Sequence, residues 1–209
     1  MKTKTIFIFG LTACSLILSS CATPKFKIHN LAEFPSERIV STKIAVKTEA
    51  DKDIMRSLVE RFNQDAREEN TGIVISPTFI FFSMEVQKEK WKKCRETLPC
   101  FADFVFIYHQ PYDVAIFFDN DGIVGDIGRL IIGGEVAYID NQKVRYIILH
   151  TASYDKFKHE FYHVFHPGHS AFGVMRQLRN LVGIPLLTSS QLSDASKAEI
   201  EKNKWRIFE

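Results

Sequence analysis

Short runs of β-branched and aromatic residues alternate along the chain with segments whose apolar residues recur every three or four positions. The first pattern predicts strands and the second predicts amphipathic helices. The predicted strands are residues 39–47, 73–75 with an extension at 79–82, 101–108, 113–118, 135–139 and 144–149. The predicted helices are residues 51–70, 85–96, 155–165 and 194–203. This order of elements predicts an α+β fold.

Turn residues between these segments agree with the predicted boundaries. Gly72 stands where a C-terminal stop is expected for the helix at residues 51–70. Residues 140–143 join two predicted strands in a hairpin. Residues 122–134 are punctuated by glycines and predict a loop region around a short apolar run.

The first 20 residues have the pattern of a secretory signal and are excluded from the predicted fold. Lys2 and Lys4 provide a basic start, and residues 6–17 form an apolar core too short to span a bilayer. The ending Leu-Ser-Ser-Cys21 resembles the cleavage box of bacterial lipoproteins. That resemblance implies cleavage before Cys21, acylation of Cys21 by palmitate-type chains, and attachment to the envelope, at the outer membrane because Ala22 follows. An ordinary signal peptide with an incidental cysteine is the alternative.

Composition narrows the classes of function. The formal net charge is +2, and Lys2 and Lys4 leave with the signal, so the mature chain is close to neutral. Without a dense basic patch, the chain gives no support for nucleic-acid binding. Cys94 and Cys100 remain in an oxidising compartment, which predicts a small-loop disulfide, with two free buried thiols as the alternative.

The candidate functional residues lie between positions 159 and 169, a segment that contains four of the seven histidines. His159, Glu160 and His163 match the zinc-peptidase pattern His-Glu-x-x-His. Residues four apart on a helix share a face, so His159 and His163 can bind one zinc ion. Glu160 lies next to the first ligand and is predicted to be the general base toward water.

A catalytic zinc needs a third protein ligand and one open position. His166 and His169 are the two candidates. A helix continued to His166 would place it about 10.5 Å along the axis from His159, too far for both to bind one ion. Because Pro167 also disfavours helical dihedrals at the residue before it, we expect a turn at Pro167-Gly168 that brings His169 to the metal.

The spacing from His159 through His163 to His169 resembles that of the metzincin metallopeptidases, and Met175 resembles their Met-turn. The resemblance implies a metzincin-like zincin fold. Such a fold has a twisted, mostly parallel sheet with an antiparallel edge strand, a backing helix, an active-site helix and a small C-terminal subdomain. The implied division is a signal at residues 1–20, a tether at 21–38 and a catalytic domain at 39–209, with an upper subdomain 39–166 and a lower subdomain 167–209. His166 departs from the family, which has glycine there.

These features together predict an envelope-bound zinc metalloendopeptidase that hydrolyses a peptide or protein substrate. Glu135, Val136 and Ala137 are candidates for an edge strand that pairs with extended substrate, an interior strand being the alternative. Residues 119–126 carry oxygen donors that could bind calcium, although a solvated acidic loop is the commoner structure.

Two other functions share the same residues. A lipoprotein on a metzincin scaffold could keep the metal site and bind a partner without cutting it. A zinc hydrolase could also act on a non-peptide amide such as cell-wall material, in which case only the cleft would differ.

Overall fold

The computed structural model describes residues 26–29, 35–82, 111–118, 135–138, 145–149, 151–166, 168 and 191–208. Several predicted features lie outside these ranges: the signal with Cys21, the helix at 85–96, the strand at 101–108, the Cys94 and Cys100 pair, the acidic residues and the glycine-rich loop at 119–134.

A five-stranded sheet forms the centre of the described structure, in the order β2-β1-β3-β5-β4. The strands are β1 (Arg38–Val46), β2 (Ile73–Phe81), β3 (Val114–Phe118), β4 (Glu135–Tyr138) and β5 (Tyr146–Leu149). Neighbours among β2, β1, β3 and β5 are parallel, whereas β4 pairs antiparallel with β5. For the described strands, this confirms the prediction of a mostly parallel sheet with an antiparallel strand at its edge.

Strand β2 continues through Pro77, which the sequence pattern placed between two strand segments. Pro77 aligns with Thr42 of β1. A proline lacks the N–H needed by a central strand, but β2 is the outermost described strand on its side. Residues 76–78 are exposed, so the missing donor faces no buried partner.

Three described helices accompany the sheet: α1 (Glu49–Glu68), α2 (Tyr154–Tyr162) and α3 (Asp194–Asn203). Thr48 begins α1 with a capping box, because its hydroxyl accepts from the Asp51 N–H and the Asp51 carboxylate accepts from the Thr48 N–H. None of these helices combines the length and apolar character that crossing a membrane requires.

One face of the sheet carries the larger apolar core and holds α1 and α2. Side chains from β1, β3 and β5 contribute, including Ile44, Ile116 and Ile147. Phe62 of α1 is fully buried, and its ring lies 4.9 Å from that of Phe161 on α2. A smaller cluster that includes Phe117 occupies the opposite face. Helix α2 is therefore held against both the sheet and α1.

The described C-terminal residues pack against the same core. Ile200 of α3 is fully buried in it, and the Leu192 N–H donates to the Glu69 carboxylate at the end of α1. Ile28 forms an antiparallel bridge with Arg206, so one part of the predicted tether contacts the end of the chain. The division into tether, upper and lower subdomains stays a prediction.

Gly72 is placed where only glycine fits. Its φ is +65°, in the left-handed region, and an added Cβ would lie 2.3 Å from the Ser36 carbonyl oxygen. The Gly72 carbonyl also accepts from the Arg38 N–H at 2.7 Å, which connects this turn to the start of β1. Glycine therefore permits both the turn after α1 and the close approach of residue 36.

We expect Gly72→Ala to lower the free energy of unfolding by at least about 2 kcal/mol, because it adds backbone strain and a steric clash. Chemical denaturation measures the change. Asn70→Gly is the matched control, since Asn70 also has a positive φ of 58° and glycine adopts it without strain. Equal stability of Gly72→Ala and the native chain would contradict the assignment.

Candidate metal centre

Helix α2 brings His159 and His163 together on one face. The two residues are one helical turn apart, and their Nε2 atoms are separated by 3.1 Å. The ring centroids are 4.6 Å apart with planes at 88° to each other. This arrangement points two imidazole nitrogens at a common position.

Glu160 completes a group of three potential metal-binding side chains. One carboxylate oxygen lies 4.0 Å from Nε2 of His159, and the ligand atoms of His159, Glu160 and His163 all lie within 4.8 Å of one another. Two nitrogens bound to a tetrahedral zinc at about 2.0–2.1 Å each lie roughly 3.3 Å apart. The observed 3.1 Å separation between the two Nε2 atoms therefore fits a shared zinc ion.

A backbone carbonyl determines which nitrogen of His163 faces the group. Nδ1 of His163 lies 2.9 Å from the carbonyl oxygen of His166. Because a carbonyl oxygen only accepts, Nδ1 carries the proton and donates to it. The neutral ring then has its lone pair on Nε2, the atom directed at His159, which is the tautomer that a metal ligand needs.

Helix α2 ends at Tyr162, three residues before the predicted end at residue 165, and a turn over residues 163–165 leads to His166. The His166 N–H still donates to the Tyr162 carbonyl at 2.7 Å, but Nδ1 of its ring donates to the Gly168 carbonyl at 2.8 Å. Among the described residues, the group that could hold a metal ion contains His159, Glu160 and His163, and His166 is not part of it. His169, the predicted third ligand, and Met175 of the predicted Met-turn lie outside the described residues.

Side chains of residues 203 and 206 satisfy two carbonyls in the turn that follows α2. The Asn203 side-chain amide donates to the Phe165 carbonyl at 2.8 Å, and the Arg206 guanidinium donates to the Val164 carbonyl at 2.6 Å. A cation just beyond the C-terminal end of a helix is electrostatically favourable. Burial and the like charge of Arg38 lower the pKa of Arg206. These contacts position the turn that carries His163.

Sequence reasoning missed Asn203 and Arg206 because they are 38 and 42 residues away from the carbonyls they bind. No spacing rule connects such distant positions.

The remaining predicted site residues are dispersed. Glu135, Val136 and Ala137 lie in β4, the outermost described strand on its side of the sheet. Cys21, Cys94 and Cys100 lie outside the described residues.

Comparisons with known proteins show only that the fold is similar to that of solved structures. No protein-family model and no curated protein matches the chain. A solved structure described as a chaperone-substrate complex matches with a TM-score of 0.51 and 15% identity, covering 81% of this chain and 34% of that one. The chain thus spans about a third of that structure's chain. Archaemetzincin from Methanopyrus kandleri matches with a TM-score of 0.49 and 14% identity, covering 84% of this chain and all of that one.

We expect His163→Ala to abolish stoichiometric zinc binding, because it removes one of two nitrogens that face the same position. Equilibrium dialysis followed by metal analysis measures bound zinc. His166→Ala is the matched control and should retain zinc, since its ring donates to Gly168 and the backbone carbonyl that orients His163 remains. Equal loss in both variants would assign His166 to the metal.

Proposed function

We propose that the chain is a zinc-dependent hydrolase of peptide bonds. The observation that carries the proposal is the group formed by two Nε2 atoms 3.1 Å apart and the neighbouring Glu160 carboxylate, carried by α2 and its C-cap residue His163. A zinc ion bound there supplies a Lewis acid that acidifies water and polarises a carbonyl. His159 and His163 would hold it, with His169 as the proposed third ligand.

Glu160 would provide the acid–base chemistry. Its side chain is only 10% exposed, and one carboxylate oxygen lies 4.0 Å from Nε2 of His159. From that position the carboxylate can accept a proton from the attacking water and then donate it to the departing amine. The low exposure keeps bulk water away from this proton transfer and strengthens its electrostatic interactions.

A peptide substrate is favoured by the position of β4. This strand lies at one edge of the described sheet and is antiparallel to β5. An edge strand offers unpaired backbone N–H and C=O groups, to which an extended peptide can add as another strand. We therefore propose that residues 135–137 contact substrate backbone.

We expect Glu160→Gln to reduce peptide hydrolysis by about 10²- to 10⁴-fold, because the amide cannot accept the proton from water. Cleavage of a broad peptide library by the zinc-loaded protein measures the effect, and zinc content should stay unchanged. Glu60→Gln, a substitution on the exposed side of α1, is the matched control. Full turnover by Glu160→Gln would rule out its role as base. A native chain with one zinc and no cleavage would favour the non-cutting binding protein.

We also propose that the mature protein is attached to the bacterial envelope through lipid on Cys21. The support is the Leu-Ser-Ser-Cys21 ending of the signal-like segment. Two or more acyl chains give stable attachment, since each buried methylene contributes about 0.8 kcal/mol.

We expect Cys21→Ser to move the protein from the membrane fraction to the soluble fraction, because it removes the acylated atom. Fractionation of cells followed by immunodetection measures the distribution. Cys14→Ser, a substitution within the signal core, is the control and should leave the protein in membranes. A Cys21→Ser protein still found in membranes would refute the lipid attachment.

A further inference from the structure

A fully buried lysine lies inside the metal-binding helix, directly before His159. The Lys158 side chain is 1% exposed, and its ammonium lies 2.9 Å from the Asp65 carboxylate and 3.0 Å from the Glu69 carboxylate. Both carboxylates belong to the C-terminal end of α1 and the residue that follows it. Burial of an ammonium is costly unless charged partners surround it, so α2 must pack where Lys158 can reach both carboxylates.

Tyr154 extends these contacts into what we call the Lys158 network, formed by Asp65, Glu69, Tyr154 and Lys158. The Tyr154 hydroxyl donates to the Asp65 carboxylate at 2.5 Å, and the Leu192 N–H donates to the Glu69 carboxylate at 2.9 Å. Burial alone would raise the pKa of Asp65, but hydrogen bonds from Tyr154 and Lys158 outweigh it and lower that pKa. The network thus joins α1, α2 and the segment before α3.

Apolar contacts determine which face of α2 meets the core, and directional contacts then restrict its rotation more narrowly. The rings of Phe157 and Phe161 pack around Phe62 at centroid distances of 5.9 and 4.9 Å. Apolar packing is non-directional and permits small rotations of a helix about its axis. The ion pairs of Lys158 are more sensitive to rotation, because their N–O separations of 2.9 and 3.0 Å are hydrogen-bond lengths and such bonds weaken steeply when their geometry is lost.

Rotation and axial position of α2 decide where the two imidazoles point. Lys158 and His159 are adjacent, so their side chains are about 100° apart around the helix. Lys158 faces α1, which leaves His159 and His163 together on another face with Nε2 atoms 3.1 Å apart. Any rotation that breaks the lysine ion pairs also moves both imidazoles.

We propose that Lys158 is a positioning residue for the metal centre, which it aligns through its ion pairs with Asp65 and Glu69. This inference rests on the proposed function, since it assumes that His159 and His163 bind zinc. The network holds α2 at one rotation and one height against α1. The histidine pair is thereby pre-arranged before the metal arrives, which raises zinc affinity.

The test replaces all three charged residues of the Lys158 network together, so that no unpaired charge stays buried. Lys158→Met alone would strand two carboxylates, a change that commonly costs about 3–5 kcal/mol and can unfold the chain. The variant is therefore the triple substitution Lys158→Met, Asp65→Asn and Glu69→Gln. Neutral side chains of similar volume often replace a buried ion pair with little loss of stability.

We expect the folded triple variant to bind zinc about 10- to 100-fold more weakly than the native chain, as loss of groups that orient metal ligands generally does. Competition with a fluorescent zinc chelator measures the dissociation constant, and circular dichroism verifies the fold. The matched control is Lys52→Met with Glu49→Gln, which neutralises an exposed ion pair of α1. That control should leave zinc affinity unchanged.

Each outcome separates this inference from the proposed function. A folded triple variant with native zinc affinity would overturn the role of Lys158 while leaving the zinc hydrolase proposal intact. A native chain that binds no zinc would overturn both. If the triple variant fails to fold, Asp65→Asn keeps the Lys158 ion pair with Glu69 and should weaken zinc binding to a smaller degree. Unchanged affinity in that single variant would likewise refute the inference.

Discussion

Packing of α2 against Phe62 is the constraint on which the candidate site depends. Phe62 lies fully buried between the sheet and α2, and the rings of Phe157 and Phe161 surround it. Because those aromatic residues must face the core, the histidines of the same helix must occupy a different face. Apolar burial elsewhere on α2 thus determines which face of the helix carries His159 and His163. The positions of the candidate ligands therefore depend on how the core packs.

Polar contacts also hold α2 and the turn after it in place, in addition to apolar packing. Helix α2 is short, and its last carbonyls, those of Phe161 and Tyr162, accept from backbone N–H groups of the turn that follows. Asn203 and Arg206 provide donors to Phe165 and Val164, so residues near the C-terminus complete the turn after His163. On the α1 side, Lys158 meets carboxylates from a third segment. The position of one functional helix therefore depends on contacts with distant parts of the chain.

Local patterns predicted the elements well and the long-range contacts poorly. The α3 helix matches residues 194–203, and α1 begins two residues earlier than its apolar spacing indicated. The histidine pair and Glu160 could be predicted because they share one helix and a fixed periodicity. The Lys158 network could not, because Asp65 is 93 residues away from Lys158. A lysine at a position that helical spacing places in the core was its one local sign. Continuity of β2 through Pro77 depended on that strand's place in the sheet, which no local pattern reports.

The turn after α2 accommodates His166 at the position where the resemblance drawn from the sequence implies a glycine. Such a glycine is required only if the backbone there is left-handed. Among the described residues, Asn70 is the one non-glycine residue with a positive φ, so His166 adopts an ordinary conformation. Its ring instead donates to the Gly168 carbonyl, and its own carbonyl accepts from His163. The His166 carbonyl thereby orients a candidate metal ligand, and the turn needs no left-handed residue at position 166.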